Sequence, residues 1–174
     1  MESGRRKFCK GAAAVVLGGM AVAAPLGAGL ATLLDPLRRR AADDGEWVRV
    51  TALEALPDDN VPRKFSVIAD EVDAWNKFPD TPIGAIYLRR SAKNEIEALN
   101  AICPHAGGFV DYVPAQHCFL CPLHKSLFNP DGAIKDPQSP APRPMDSLAV
   151  EVREGAIWVK FENFRAGIAG KIPA

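Results

Sequence analysis

Hydrophobic positions divide the chain near residue 40. From Gly11 to Leu34 twenty-four residues pass without a charge. At 1.5 Å per residue a helix of that length spans about 36 Å, enough to cross a bilayer core of about 30 Å with some tilt. Much of it is Ala and Gly, and Pro25 sits near its middle, where a neighbouring helix or water must satisfy the freed carbonyl. Residues 37–46, LRRRAADDGE, offer almost nothing to bury and read as a flexible hinge. From Trp47 the period changes. EWVRV and KFSVIA alternate, AIYLRR is rich in β-formers, and AVEVREGAIWVKF is two strands around a Glu154-Gly155 turn. Asp131-Gly132 marks another tight turn. After residue 40 only LEAL, residues 53–56, suggests a helical turn. Eight of the fifteen prolines fall between residues 104 and 144, stiffening loops that have no ladder partner. The pattern predicts an all-β, antiparallel domain over residues 47–174, with a proline-rich loop region inserted between its strands. One transmembrane anchor over residues 11–36 precedes it.

The 174 residues leave room for one core of ordinary size, and 48% apolar with 24% charged residues places most of the chain among globular proteins. The formal net charge of zero argues against a nucleic-acid partner. The charge is unevenly spread: residues 1–40 hold seven Lys/Arg and two Asp/Glu, residues 41–174 fourteen and nineteen. Both flanks of the apolar run are basic, so charge counting alone does not orient it. Ser3-Gly4-Arg5-Arg6-Lys7-Phe8 resembles a twin-arginine export signal, read here over residues 1–10. That resemblance places the amino terminus in the cytoplasm and the following domain outside it, exported already folded. Ala21-Val22-Ala23 offers a small-residue cleavage site, but the apolar run exceeds the about 7–15 residues of a secretory signal, which favours a retained single-pass anchor.

Two short boxes hold the chemistry. Cys103-Pro104-His105-Ala106-Gly107-Gly108 and Cys121-Pro122-Leu123-His124-Lys125-Ser126 each carry one thiol and one imidazole, with fifteen residues between His105 and Cys121. Thiolate and imidazole are ligands that suit zinc or an iron–sulfur cluster. Pro104 and Pro122 follow the two cysteines alike, which suggests matching loops gripping one object. A Cys₂His₂ zinc site is one outcome. Zinc modules usually separate a Cys pair by about two to four residues and a His pair by about three to five, whereas here Cys and His alternate.

Cys-x-His, then about fifteen residues, then Cys-x-x-His is similar to the signature of Rieske iron–sulfur proteins. Ser139–Pro144, SPAPRP, resembles the proline loop that covers the cluster in quinol-oxidising members. The stretch from Trp47 to the carboxyl end, including Asp73-Ala74-Trp75, IYLRR at 86–90 and the closing FRAG, resembles the Rieske subunits of bacterial cytochrome bc-type complexes. The resemblance implies an antiparallel β-sandwich with a small cluster-binding subdomain at about residues 100–145. It also implies one [2Fe–2S] cluster, with Cys103 and Cys121 on one iron and His105 and His124 on the other. Two neutral imidazoles in place of thiolates make such a cluster less negative, so its potential rises to about −150 to +300 mV, against about −400 mV for plant-type clusters. Ser126 stands where the family serine donates its hydroxyl to a cluster sulfide, which stabilises the reduced state.

Several positions depart from the high-potential members. Gly108 and Leu123 stand where those members place a disulfide that ties the loops together. Phe128 replaces a Tyr whose hydroxyl bonds a ligand sulfur, and Lys125 replaces a Gly, adding a positive charge. Cys118, three residues before Cys121, reads as a strand residue rather than a ligand. Cys9 lies beyond the membrane segment, and His117 reads as exposed. The balance predicts a potential below that of ubiquinol-type members and menaquinol as the donor.

The resemblance implies a redox subunit of a quinol–cytochrome c oxidoreductase, in which quinol meets His105 or His124. Its partners are then a cytochrome b-type membrane subunit, a c-type cytochrome, quinol and the membrane. Two rival readings stand beside it. The small Rieske subunit of an arsenite oxidase-like molybdenum enzyme shares the export signal and tolerates loss of the disulfide, but the proline loop and long anchor favour the bc-type reading. A zinc-stabilised, membrane-tethered interaction module is the rival from another class.

Overall fold

The computed structural model describes residues 2–38, 46–72, 76–91 and 93–174. Two compact units divide after Ala41. In the first, α1 (Glu2–Arg38) is one continuous helix that runs through Pro25. Its stretch Phe8–Leu34 has 27 residues and a mean hydropathy of 1.9. At about 40 Å it is long and apolar enough to span a bilayer. Leu17, Met20, Leu26 and Leu30 are all exposed along it, an apolar surface that suits lipid better than water. Thr32 Oγ1 donates back to the Ala28 carbonyl at 2.8 Å, which satisfies the hydroxyl without solvent. The helix begins upstream of the apolar run, so the residues read as an export signal form its first turns. The side chains of Arg5, Arg6 and Lys7, hinge positions 39–45 and Asp73-Ala74-Trp75 lie outside the described residues.

In the second unit the alternating segments form ten strands: β1 (Glu46–Ala52), β2 (Arg63–Val72), β3 (Lys77–Arg90), β4 (Ile96–Asn100), β5 (Asp111–Val113), β6 (Cys118–Leu120), β7 (Leu127–Phe128), β8 (Ser147–Leu148), β9 (Val150–Arg153) and β10 (Ala156–Phe161). They pair antiparallel in three sheets, ordered β1-β10-β9, β2-β3-β4-β8 and β5-β6-β7. The β9–β10 hairpin turns where its sequence predicts. Glu154 (φ 48°) and Gly155 (φ 72°) are both left-handed, as a two-residue turn matching the strand twist requires. LEAL supplies a single 3₁₀ turn at Leu53–Ala55, which leaves Leu56 fully buried.

The middle sheet has a core on each face, and the period of two along β3 and β4 assigns the residues. Ile86, Leu88 and Ala98 join Val67 against Val48, Ile157, Val159 and Phe161 of the first sheet. The intervening Tyr87 and Leu99 belong to the other core, with Val110, Phe119 and Phe128. Tyr87 meets the Phe119 ring edge-on at 4.7 Å, and its hydroxyl donates to the Val110 carbonyl at 3.2 Å. The expected sandwich with a small added subdomain is therefore present, and the two share the middle sheet as a common wall.

That subdomain leaves and rejoins the sheet at one neck. β4 and β8 are neighbours through Ala98↔Leu148 and Leu99↔Ser147, so residues 101–146 form an excursion between adjacent strands. Asn100, 1% exposed, pins the neck. Its backbone N–H donates to Asp146 O at 2.8 Å. Its side chain accepts from Ile102 N at 2.9 Å and donates to Glu162 O at 2.8 Å. A buried amide satisfied on both sides fixes one geometry and tolerates few substitutes.

Candidate metal centre

The two Cys-Pro boxes fold alike. In the first, Cys103 N donates to Gly108 O at 2.7 Å and Gly107 N to Cys103 O at 3.0 Å. In the second, Cys121 N donates to Ser126 O and Lys125 N to Cys121 O, both at 2.9 Å. The fifth residue of each turn is left-handed: Gly107 at φ 75° and Lys125 at φ 58°. Glycine adopts that region freely, while a residue with a Cβ is disfavoured by roughly 1–2 kcal/mol. Cys103 and Cys121 thus occupy equivalent places. His105 is third in its turn and His124 fourth, so the two rings leave equivalent loops from different points.

The loops bring the four donor residues together as two pairs. Cys103 and Cys121 are each 1% exposed and neighbour one another. Burial pushes the Cys103 thiol above its ordinary pKa and the Cys121 sulfur pushes the same way, while the His105 backbone N–H and the Ser126 hydroxyl oppose them. The His105 and His124 rings meet edge-on with centroids 4.7 Å apart. His124 is exposed and His105 half-buried. His105 Nδ1 and Ser126 Oγ are fully buried without a hydrogen-bond partner of proper geometry, a state that native interiors rarely tolerate unless something else binds there. Among the described residues no three Cys, His, Asp or Glu side chains close on one point as a single ion would require. A thiol pair, an imidazole pair, a free ring nitrogen and a free hydroxyl fit a two-iron cluster, which needs two protein ligands per iron and acceptors for nearby donors.

Residues 139–144 reach the cysteine-containing core through Ala141. Pro140, Pro142 and Pro144 face solvent while Ala141 and Arg143 are buried, and Ala141 and Met145 belong to the core that contains both cysteines. Phe128 is fully buried in that core. Gly108 and Leu123 are in contact: a Cβ on Gly108 would lie 3.1 Å from Leu123 Cγ. Cys118 and His117, read from the sequence as non-ligands, take no part in this grouping. Cys118 is buried at the start of β6 with its thiol 3.7 Å from Gln116 Oε1. His117 is exposed, its Nδ1 3.4 Å from the Tyr112 hydroxyl, and Cys9 is exposed on α1. Sequence reasoning missed Asn100 and the buried Arg143–Asp146 ion pair at 2.8 Å, and it read Arg143 and the closing FRAG only as parts of a family resemblance. Neither Asn100 nor the partner of Arg143 carries a periodic or motif signal.

The fold and the paired thiols and imidazoles fit the class of iron–sulfur proteins. Residues 46–153 match the model of the Rieske [2Fe–2S] domain, and the chain belongs to that family; its cofactor is a [2Fe–2S] cluster. Over 146 residues it is 28% identical to the menaquinol:cytochrome c reductase iron–sulfur subunit of Geobacillus thermodenitrificans, covering 82% of this chain and 83% of that one. Over 73 residues it is 41% identical to the chloroplastic cytochrome b6-f complex iron–sulfur subunit of Bigelowiella natans, covering 40% of this chain and 28% of the relative. The plasma membrane Rieske protein of Synechocystis PCC 6803 shares 24% identity at a TM-score of 0.48, over 66% of this chain and 99% of that structure.

Proposed function

We propose that the chain is the iron–sulfur subunit of a cytochrome bc-type complex, carrying electrons from a membrane quinol, specifically menaquinol, to a c-type cytochrome. Cys103, Cys121, His105 and His124 are the cluster ligands, and Ser126 is a hydroxyl donor to the cluster. The observation that carries this reading is the contrast between sealed sulfurs and the exposed His124 ring. A quinol hydroxyl can donate a hydrogen bond to that ring, and the imidazole is the group that takes its proton. The bound cluster supplies a one-electron acceptor whose potential the two imidazoles raise. Around it, Ala141 and Met145 keep water from the thiolates, and Pro104 and Pro122 hold the two turns rigid.

The match to a menaquinol:cytochrome c reductase subunit over most of both chains supports the assignment. Glycine at 108, leucine at 123 and phenylalanine at 128 remove the disulfide and the hydroxyl found in high-potential members. Menaquinol, the stronger reductant, suits the lower potential that results. Arg5-Arg6 as an export signal and α1 as a retained anchor put the amino terminus in the cytoplasm and the cluster domain on the extracytoplasmic side. Purification of this chain from detergent-solubilised membranes tests the reading. Recovery with b-type haem, and cluster reduction by a menaquinol analogue, is the expected result. Recovery with molybdenum and no b-type haem overturns it in favour of the arsenite oxidase-like assembly.

A further inference from the structure

We infer that Arg143 is a positioning residue for the cluster, holding the first ligand loop in place through a carboxyl-terminal strap, residues 164–173. The inference rests on the proposed ligand role of His105.

The Arg143 side chain is 7% exposed, and all three of its guanidinium nitrogens are engaged. Nε donates to Asp146 Oδ1 at 2.9 Å and Nη2 to Asp146 Oδ2 at 2.8 Å. Nη1 donates to the Ile168 carbonyl at 2.5 Å. One residue earlier, Gly167 N–H donates to Pro104 O at 2.8 Å, the carbonyl between Cys103 and His105. Ala166 Cβ lies 4.0 Å from the place a Cβ on Gly107 would take, so the strap also rests on the far side of the same turn. The strap is closed on itself by Arg165 N to Ile172 O at 2.9 Å and by the Phe164↔Pro173 bridge. Lys171 Nζ ties it to Ser147 O at 2.5 Å.

A buried ion pair is weak evidence of stabilisation, because desolvation offsets much of the attraction. Here the pair has another use. Asp146 is fixed at the neck, where its carbonyl accepts from Asn100 N. Its carboxylate grips two corners of a planar fork, and that grip aims the third corner at the strap. The path runs from Asp146 through Arg143 and Ile168 to Gly167, Pro104 and His105. It joins the proline loop to the first ligand loop, and the strap that completes it lies beyond the residues matched by the family model. Lysine keeps the charge but offers a single nitrogen and cannot hold both ends.

Arg143→Lys in the full-length, cluster-loaded protein tests this. Three quantities are read: hyperfine coupling of the two histidine nitrogens in the reduced protein, backbone amide exchange across residues 164–173, and the rate of iron loss to a chelator. The expected result is a shift in one nitrogen coupling with the other unmoved, faster exchange of the strap, and iron loss accelerated about tenfold. Ending the chain after Arg165 should reproduce the coupling shift, and Arg143→Lys should then add little. Unchanged strap exchange and couplings in Arg143→Lys, or full additivity with the truncation, overturns the inference. Wild-type protein lacking two nitrogen couplings overturns the ligand assignment instead, while strap exchange in Arg143→Lys still decides whether Arg143 holds the strap.

Discussion

On the proposed ligation, Ser126, Phe128 and Lys125 are the residues whose side chains would tune the potential of the cluster. Ser126 Oγ is buried beside the Cys103 thiol with no partner of proper geometry, so in the proposed site its hydroxyl would donate to a sulfur of the cluster, a bond that would strengthen as the cluster gains negative charge. Ser126→Ala should lower the midpoint potential by on the order of 50 mV, the one-electron equivalent of a charge-assisted hydrogen bond. Phe128 fills the same core without a hydroxyl, and Phe128→Tyr should raise the midpoint. Redox titration of the purified domain measures both, and equal midpoints in all three proteins would refute the role given to these hydroxyls. Lys125 holds a left-handed conformation that the matching turn assigns to Gly107. Lys125→Gly should therefore stabilise the fold by about 1 kcal/mol, seen as a higher denaturation midpoint. Loss of the nearby positive charge should also lower the potential.

At the scale of elements, the paired turns explain why the missing disulfide is tolerated. Each is closed by two backbone hydrogen bonds and stiffened by a proline, so the loops keep their shape without a covalent tie. The geometry for a tie remains. Leu123 Cγ sits where a cysteine sulfur would, 3.1 Å from the Cβ position of Gly108, and an S–S bond of about 2.04 Å leaves a similar Cβ-to-sulfur distance. The double variant Gly108→Cys with Leu123→Cys should form a disulfide and raise stability by about 3 kcal/mol. Mass spectrometry under non-reducing conditions, with thermal melting, checks it; a persistent pair of free thiols would contradict the spatial match. These turns were legible in advance because their chemistry is local: Cys-Pro twice, with glycine or serine closing each box. The strands were legible from their period of two, and Glu154-Gly155 from turn preference. Asn100 and the contacts made by Arg143 and the strap were not, because each reaches residues distant in sequence. Asn100 reaches Glu162 and Arg143 reaches Ile168, and no pattern within a short window encodes such a partner. The three-layer arrangement was hidden for a related reason. IYL reads as one apolar run, and only the pairing of β3 with both neighbours shows that its alternate residues serve separate cores.

For the molecule as a whole, the separation of cores predicts how it responds to loss of its cofactor. The core between the first and middle sheets contains no cysteine, whereas the second includes Cys103 and Cys121. Removing iron leaves two buried thiols, a ring nitrogen and a hydroxyl without their partner, a combination that is costly in an apolar setting. Hydrogen exchange of the cluster-free protein should show residues 101–146 opening while β1, β3 and β10 stay protected. Uniform protection, or uniform loss, would contradict this division. The central claim is a two-iron cluster bound by Cys103 and Cys121 on one iron and His105 and His124 on the other. Iron and acid-labile sulfide analysis, combined with nitrogen hyperfine spectroscopy of the reduced protein, measures it most directly. The account predicts two irons and two sulfides per chain with coupling from two imidazole nitrogens, one lost in each of His105→Cys and His124→Cys. One zinc per chain, or a reduced cluster with no nitrogen coupling, would contradict it.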